Sequence, residues 1–147
     1  MSPTKVQQSI QRKAERTIKE MELFLRDEDT IALLDSFKNS FNLCETVCKT
    51  ILYEKIKKRK PGLKLHDVKL DMRQIPSAIE RAGYRADRNL LSELFGKSKT
   101  SKKTVKDLRN DVTHGFNKKS VQKIKDRKDE LYRAMESFLQ IIRQQNE

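Results

Sequence analysis

The sequence predicts an all-α protein: a helical bundle of two long N-terminal helices, short middle helices and a C-terminal helical hairpin. Three observations lead there. Of the 147 residues, 37% are charged and 35% hydrophobic, a balance that suits amphipathic helices with one apolar face each. Four Gly and three Pro are too few turn residues for a protein of many short strands. Apolar residues recur at three- and four-residue steps through most of the chain. The length suits one domain with one core, spanning residues 1–147.

Taken in order, Ser2 followed by Pro3 reads as a cap and first helical residue, and Val6, Ile10, Ala14, Ile18, Met21 and Leu25 then form one apolar stripe. Asp29 can cap a second helix, whose stripe is Ile31, Leu34, Phe37, Phe41, Cys44, Cys48, Ile51 and Leu52. Cations from Lys55 to Lys60 favour its C-terminus, and Pro61-Gly62 stops it. Residues 61–75 show no clean period. Pro76 begins a short helix that Gly83 ends, and Asp87 caps another that runs to Phe95 and stops at Gly96.

Residues 97–106 carry five lysines and no acid, which reads as a solvated loop leading into a helix from about Lys103 to Thr113. Gly115 can end that helix in the left-handed conformation. Ser120 is a fair cap for the last helix, with Val121, Ile124, Leu131, Met135, Phe138 and Ile142 on its apolar side.

With 33 basic against 21 acidic residues the formal charge is +12, and a small domain this basic most often meets phosphate, so RNA or DNA is the first partner to consider. The clusters around Lys58 and Arg59, around Lys102, Lys103 and Lys106, and around Lys118 and Lys119 are candidate phosphate contacts, although the same residues suit helix ends and solvated loops. No apolar stretch is long enough for a membrane and the N-terminus lacks a secretory pattern, so a cytoplasmic protein without a membrane partner is expected. Cys44 and Cys48, one helical turn apart among apolar residues, read as reduced core cysteines. No set of residues has metal-ligand spacing and no cofactor is expected. Tyr84, Phe95 and Phe116 could stack on bases, but Phe95 and Phe116 flank helix ends, where core packing suits both better. Helix-turn-helix binding is thinkable for the short helices of residues 76–95, which lack a recognition-helix pattern.

One segment concentrates chemistry: Leu108-Arg109-Asn110-Asp111-Val112-Thr113-His114-Gly115-Phe116, in a chain whose only other histidine is His66, beside Asp67. RNA carries its own nucleophile, the 2′-hydroxyl. Cleaving it needs a base for that proton, an acid for the leaving 5′-oxygen, and positive charge on the phosphorane. His114 can move protons near neutral pH and Arg109 offers a fixed cationic fork for phosphate. Asn110 and His114 are four apart and face one side of a helix, so the amide can orient the imidazole. Arg109 lies roughly 140° around the helix from His114, which suits a helix unwound near Val112, a phosphate lying across the helix end, or a site completed by a second chain. A purely structural alternative has His114 capping carbonyls and Asp107 or Asp111 pairing Arg109.

These residues resemble the HEPN superfamily, whose ribonuclease members carry an Arg, four to six residues, then His, often with Asn, Asp or His directly after the Arg. The match is Arg109, Asn110 and His114. The segment Asn42-Leu43-Cys44-Glu45-Thr46-Val47-Cys48-Lys49-Thr50-Ile51-Leu52, with Leu108-Arg109-Asn110 and His114-Gly115, is also similar to the C-terminal domain of some abortive-infection proteins in that superfamily. The resemblance implies a homodimer with two motifs lining a cleft, and metal-independent RNA cleavage to a 2′,3′-cyclic phosphate and a 5′-hydroxyl. It also implies a toxin or anti-phage defence role under the restraint of an inhibitory antitoxin or other regulatory protein. In the branch paired with a nucleotidyltransferase antitoxin, a tyrosine two residues after the histidine receives AMP; here Phe116 has no hydroxyl to modify. The competing expectation is a non-catalytic HEPN-like module that binds nucleic acid or a protein partner.

Overall fold

The computed structural model describes residues 4–26, 30–99, 102–113 and 118–144, the side chains of 20–26 and 118 excepted. Its described residues form helices and connecting turns, with no strand. In order these are α1 (Lys5–Arg26), α2 (Thr30–Ile56), a 3₁₀ turn (Leu65–Asp67), α3 (Ile75–Arg81), α4 (Arg88–Phe95), α5 (Val105–Thr113), α6 (Lys118–Asp126) and α7 (Lys128–Gln144). The all-α bundle the sequence predicts is therefore the observed architecture.

α1 starts from a reciprocal cap centred on Thr4. Its Oγ1 accepts from the Gln7 backbone N–H at 3.1 Å, while Gln7 Oε1 accepts from the Thr4 N–H at 3.0 Å. The expected Ser2-Pro3 start lies outside the described residues, and it is Thr4 that closes the first turn. Ile10 and Ala14 are buried, with Val6 and Ile18 packed beside them, so the stripe lays α1 across α2 and α7.

α2 is the central helix, packed on α1, α3, α5 and α7. Its buried side holds Leu33, Phe37, Phe41, Cys44, Val47, Cys48, Ile51 and Leu52. The expected Ile31 is instead 74% exposed and Leu33 takes the inward position, because the first turn of α2 enters the core one face round from the stripe read off the sequence. Burial pushes both thiols well above the usual cysteine range: Cys48 adds to this at Cys44, and Glu45 adds to it at Cys48.

The middle elements follow local chemistry closely. Pro76 lies in the first turn of α3, and Gly83, at φ 94°, closes it with the Tyr84 N–H bonding Ile79 O at 3.0 Å. Asp87 caps α4 through the Leu90 N–H at 3.1 Å. The aperiodic stretch still contributes to the core through Val68, with Leu63, Leu70 and Met72 partly buried. Phe95 joins three helices, its ring 5.9 Å from Phe41 and edge-on to Phe138 at 5.4 Å.

The expected single last helix is interrupted at Arg127 into α6 and α7. Val121, Ile124, Leu131, Met135, Phe138 and Ile142 are all buried, so the stripe is right although the helix is broken. Ser120 is not a cap. It lies inside α6 and donates to Asp111 Oδ2 at 2.7 Å, fastening α6 to α5.

Candidate active site

α5 is anchored at its start by the loop before it. Thr104 Oγ1 accepts from the Asp107 N–H at 3.2 Å, capping the helix, and donates to Gly96 O at 2.9 Å. Asp107 accepts from the backbone N–H of Ser98 at 2.8 Å and from its hydroxyl. Gly96, Ser98 and Thr104 thus build a cap for α5, where the sequence suggested only a solvated loop.

Asp107 and Asp111 are one turn apart and face α6 and the capping turn. Asp111 accepts from Ser120 and pairs with Lys103. Burial raises its pKa, but the hydrogen bonds from Lys103 and Ser120, with the charge of Lys103, outweigh that and hold the carboxyl below its ordinary range. Arg109 lies two residues from each aspartate, roughly 200° round the helix, and faces α2 instead. Neither aspartate pairs with it.

Two of the hydrogen-bond partners of Arg109 come from 64 and 67 residues earlier in the chain. Its NH2 donates to Glu45 Oε2 at 3.0 Å, its NH1 to Asn42 Oδ1, and its Nε to the neighbouring Asn110 Oδ1 at 3.0 Å. The guanidinium carbon stands 4.7 Å from the centroid of the Phe41 ring, a cation–π contact that continues the aromatic series from Phe95. The Arg109 side chain is 16% exposed and that of Glu45 19%, so the ion pair is largely shielded, with Lys49 at 3.9 Å on the other side of Glu45. Thr113 Oγ1 donates to Arg109 O at 2.7 Å in the last turn of α5.

Three of the five guanidinium N–H groups are thus engaged by described residues. Asn110 uses its carbonyl oxygen on Arg109, which leaves its NH₂ group for a neighbour. His114, Gly115 and Phe116 lie outside the described residues, immediately beyond α5. The sequence singled out Arg109 and Asn110 but gave no role to Asn42 or Glu45. The available signal was their i, i+3 spacing beside the apolar stripe of α2, which puts two polar groups at the edge of the core.

The basic candidates separate into two kinds. Lys102 pairs with Glu130 at 2.6 Å, and Lys103 with Asp111. Arg127 clamps the same Glu130, its Nε donating at 3.0 Å, and its NH1 reaches Lys103 O at 2.8 Å. These donors, Arg127 first and Lys102 next, bring the Glu130 carboxyl down to about 2. Lys58, Arg59 and Lys119 are exposed, Lys106 is half-buried, and the Lys118 side chain is outside the description. Tyr84 and Phe95 are core residues; burial pushes the Tyr84 hydroxyl up to about 12. His66 is exposed, with Nε2 3.3 Å from Asp67.

Among the described residues no three His, Cys, Asp or Glu side chains cluster as metal ligands, and no helix is long and apolar enough to cross a membrane. Comparison with protein-family models, curated proteins and solved structures finds no match to this chain.

Proposed function

We propose that the chain is a metal-independent endoribonuclease of HEPN type, acting in the cytoplasm as a toxin or anti-phage defence effector. The observation that carries the reading is the setting of Arg109 midway along α5. Glu45, Asn42, Asn110 and the Phe41 face hold its guanidinium in one orientation, five residues before the only histidine in the motif. The two segments that resemble abortive-infection proteins, one on α2 and one on α5, touch through this arginine.

In the proposed reaction His114 accepts the 2′-hydroxyl proton, the 2′-oxygen attacks the adjacent phosphorus, and the 5′-oxygen leaves as a protonated hydroxyl. A second His114, from a homodimer partner, supplies that proton. The remaining N–H groups of Arg109 stabilise the charge that develops on the phosphorane. Asn110 holds Arg109 through its oxygen and orients His114 through its NH₂ group. The products are a 2′,3′-cyclic phosphate and a 5′-hydroxyl. An inhibitory protein restrains the activity, and Phe116 makes that restraint independent of tyrosine modification.

A second reading has its own support. Arg109 ties α5 to α2 by an ion pair with Glu45, a further hydrogen bond to Asn42 and a ring contact with Phe41, a role that needs no catalysis. On that reading the chain is a HEPN-like module binding nucleic acid or a protein partner. Incubating RNA in EDTA with wild type and His114→Ala separates the two. The nuclease cuts RNA and the variant does not; the module leaves RNA intact in both.

A further inference from the structure

On the side of the molecule formed by the connection between α2 and α3 and by the end of α4, two grooves lie next to each other. One, of about 530 Å³, runs between the end of α2 and the 3₁₀ turn, and the other, of about 510 Å³, lies between residues 69–73 and the α4–α5 connection. Both linings include Lys69 and Asp71, so the grooves meet there. Arg59 and Lys60 line the first, and Lys97, Lys99 and Lys106 the second.

None of these six cations forms an ion pair with a described residue, in contrast to Lys102 and Lys103. Asp71, shared by both grooves, already carries the Arg73 guanidinium, whose Nε and NH2 reach its two oxygens at 3.2 and 3.1 Å. Its charge is thereby offset, and against the six cations stands one further acid of the lining, Asp67 in the first groove, so the trench is left positive. Five of the six cations are exposed, and a chain in the trench would meet them without displacing an existing partner.

We infer that this trench binds the phosphate backbone of single-stranded RNA, at a surface separate from the Arg109 cluster. A concave groove that cations line on both sides of a shared point suits one strand, whose phosphates can enter it, better than the broad convex face of a duplex. Among the described residues Phe95 is the only aromatic in either lining, and it is 1% exposed. With no platform for base stacking among the described residues, contact is made through phosphates and carries no base preference. Lys106 stands one turn before Arg109 and Asn110 on α5, so a strand leaving the trench there arrives at the candidate active site. Binding here does not require that the chain cleave RNA.

The test is fluorescence anisotropy with a labelled oligouridine of about 16 nucleotides, using the His114→Ala protein so that cleavage cannot interfere. Six phosphate contacts on a single strand give a log–log salt slope of about −4, so affinity falls about 300-fold between about 50 and about 200 mM salt. Lys69→Ala, Lys97→Ala and Lys99→Ala together halve the slope, to a fall of about 20-fold over the same range. The control is Arg12→Ala, Arg16→Ala and Lys19→Ala on α1, with the same charge loss outside the trench, and it keeps the parent slope. Oligoadenosine binds within about threefold of oligouridine, and a duplex of equal length binds more weakly. An unchanged melting temperature shows that the trench variant is folded. The inference is overturned if the trench variant keeps the parent slope, if the α1 variant loses as much, or if the duplex binds as tightly as the single strand. Cleavage by the unmodified protein is scored separately, so either reading can fail alone.

Discussion

Replacing Arg109 by alanine removes a charged hydrogen bond to Glu45, hydrogen bonds to Asn42 and Asn110, and the cation–π contact with Phe41. It also leaves the Glu45 carboxylate, 19% exposed, with Lys49 at 3.9 Å as its remaining cation. A shielded charged hydrogen bond, two weaker bonds at the rim and one ring contact, discounted for partial solvation, sum to about 2 to 3 kcal/mol. For a chain of this length that lowers the melting temperature by about 5 to 10 °C. Glu45→Ala, which leaves Arg109 its other three contacts, costs about 1 kcal/mol. The double variant is less destabilised than the sum, with a coupling of about 1 kcal/mol measured by urea denaturation of the four proteins. A coupling below about 0.3 kcal/mol would refute the shielded Arg109–Glu45 pair, and with it the account of how Arg109 is oriented.

Three further outcomes follow from other parts of the fold. Phe95→Ala opens the aromatic contact between α2, α4 and α7 and destabilises the chain by about 3 to 5 kcal/mol in chemical denaturation, whereas a loss below about 1 kcal/mol would contradict its central position. Glu130 titrates at about 2 in the fold against an ordinary value of 4.5, so the folded state favours its ionised form. The stability it adds is fully present above pH 4.5 and is lost as pH falls towards 2; since its side chain is 38% exposed, the amount is at most about 1 kcal/mol, and Glu130→Gln flattens the acid limb of the pH–stability curve. Cys44 and Cys48, buried and with raised thiol pKa values, react with a thiol reagent at mildly alkaline pH only after unfolding; rapid labelling of the native protein would show that α2 is not packed as described.

Much of the architecture was legible because it is local. Pro76, Gly83, Asp87 and Gly96 punctuate α3 and α4 through caps and backbone conformations that need only neighbouring residues, and the C-terminal stripe is buried as its spacing implied. The start of α1 is local as well, set among the described residues by the two reciprocal bonds of Thr4 and Gln7. Ser120 looked like a cap until Asp111, nine residues earlier, was found beside it. At the site, Arg109 and Asn110 could be chosen by residue type and spacing, but pairing across 64 residues leaves no local trace. Asn42 and Glu45 became partners of Arg109 only once α5 was packed on α2. The same holds for the lysines: sequence clusters group Lys102 and Lys103 with Lys106, while the fold commits the first two to carboxylates and turns Lys106 to a groove.

The central claim is that Arg109, Asn110 and His114 cleave RNA without a metal. Its most direct measurement is the end chemistry of RNA incubated with purified protein in EDTA, beside His114→Ala. The account predicts fragments with 2′,3′-cyclic phosphate and 5′-hydroxyl termini from the wild type, and a loss of at least about 100-fold in rate for the variant. Intact RNA with the wild type, or equal cleavage by His114→Ala, would contradict it.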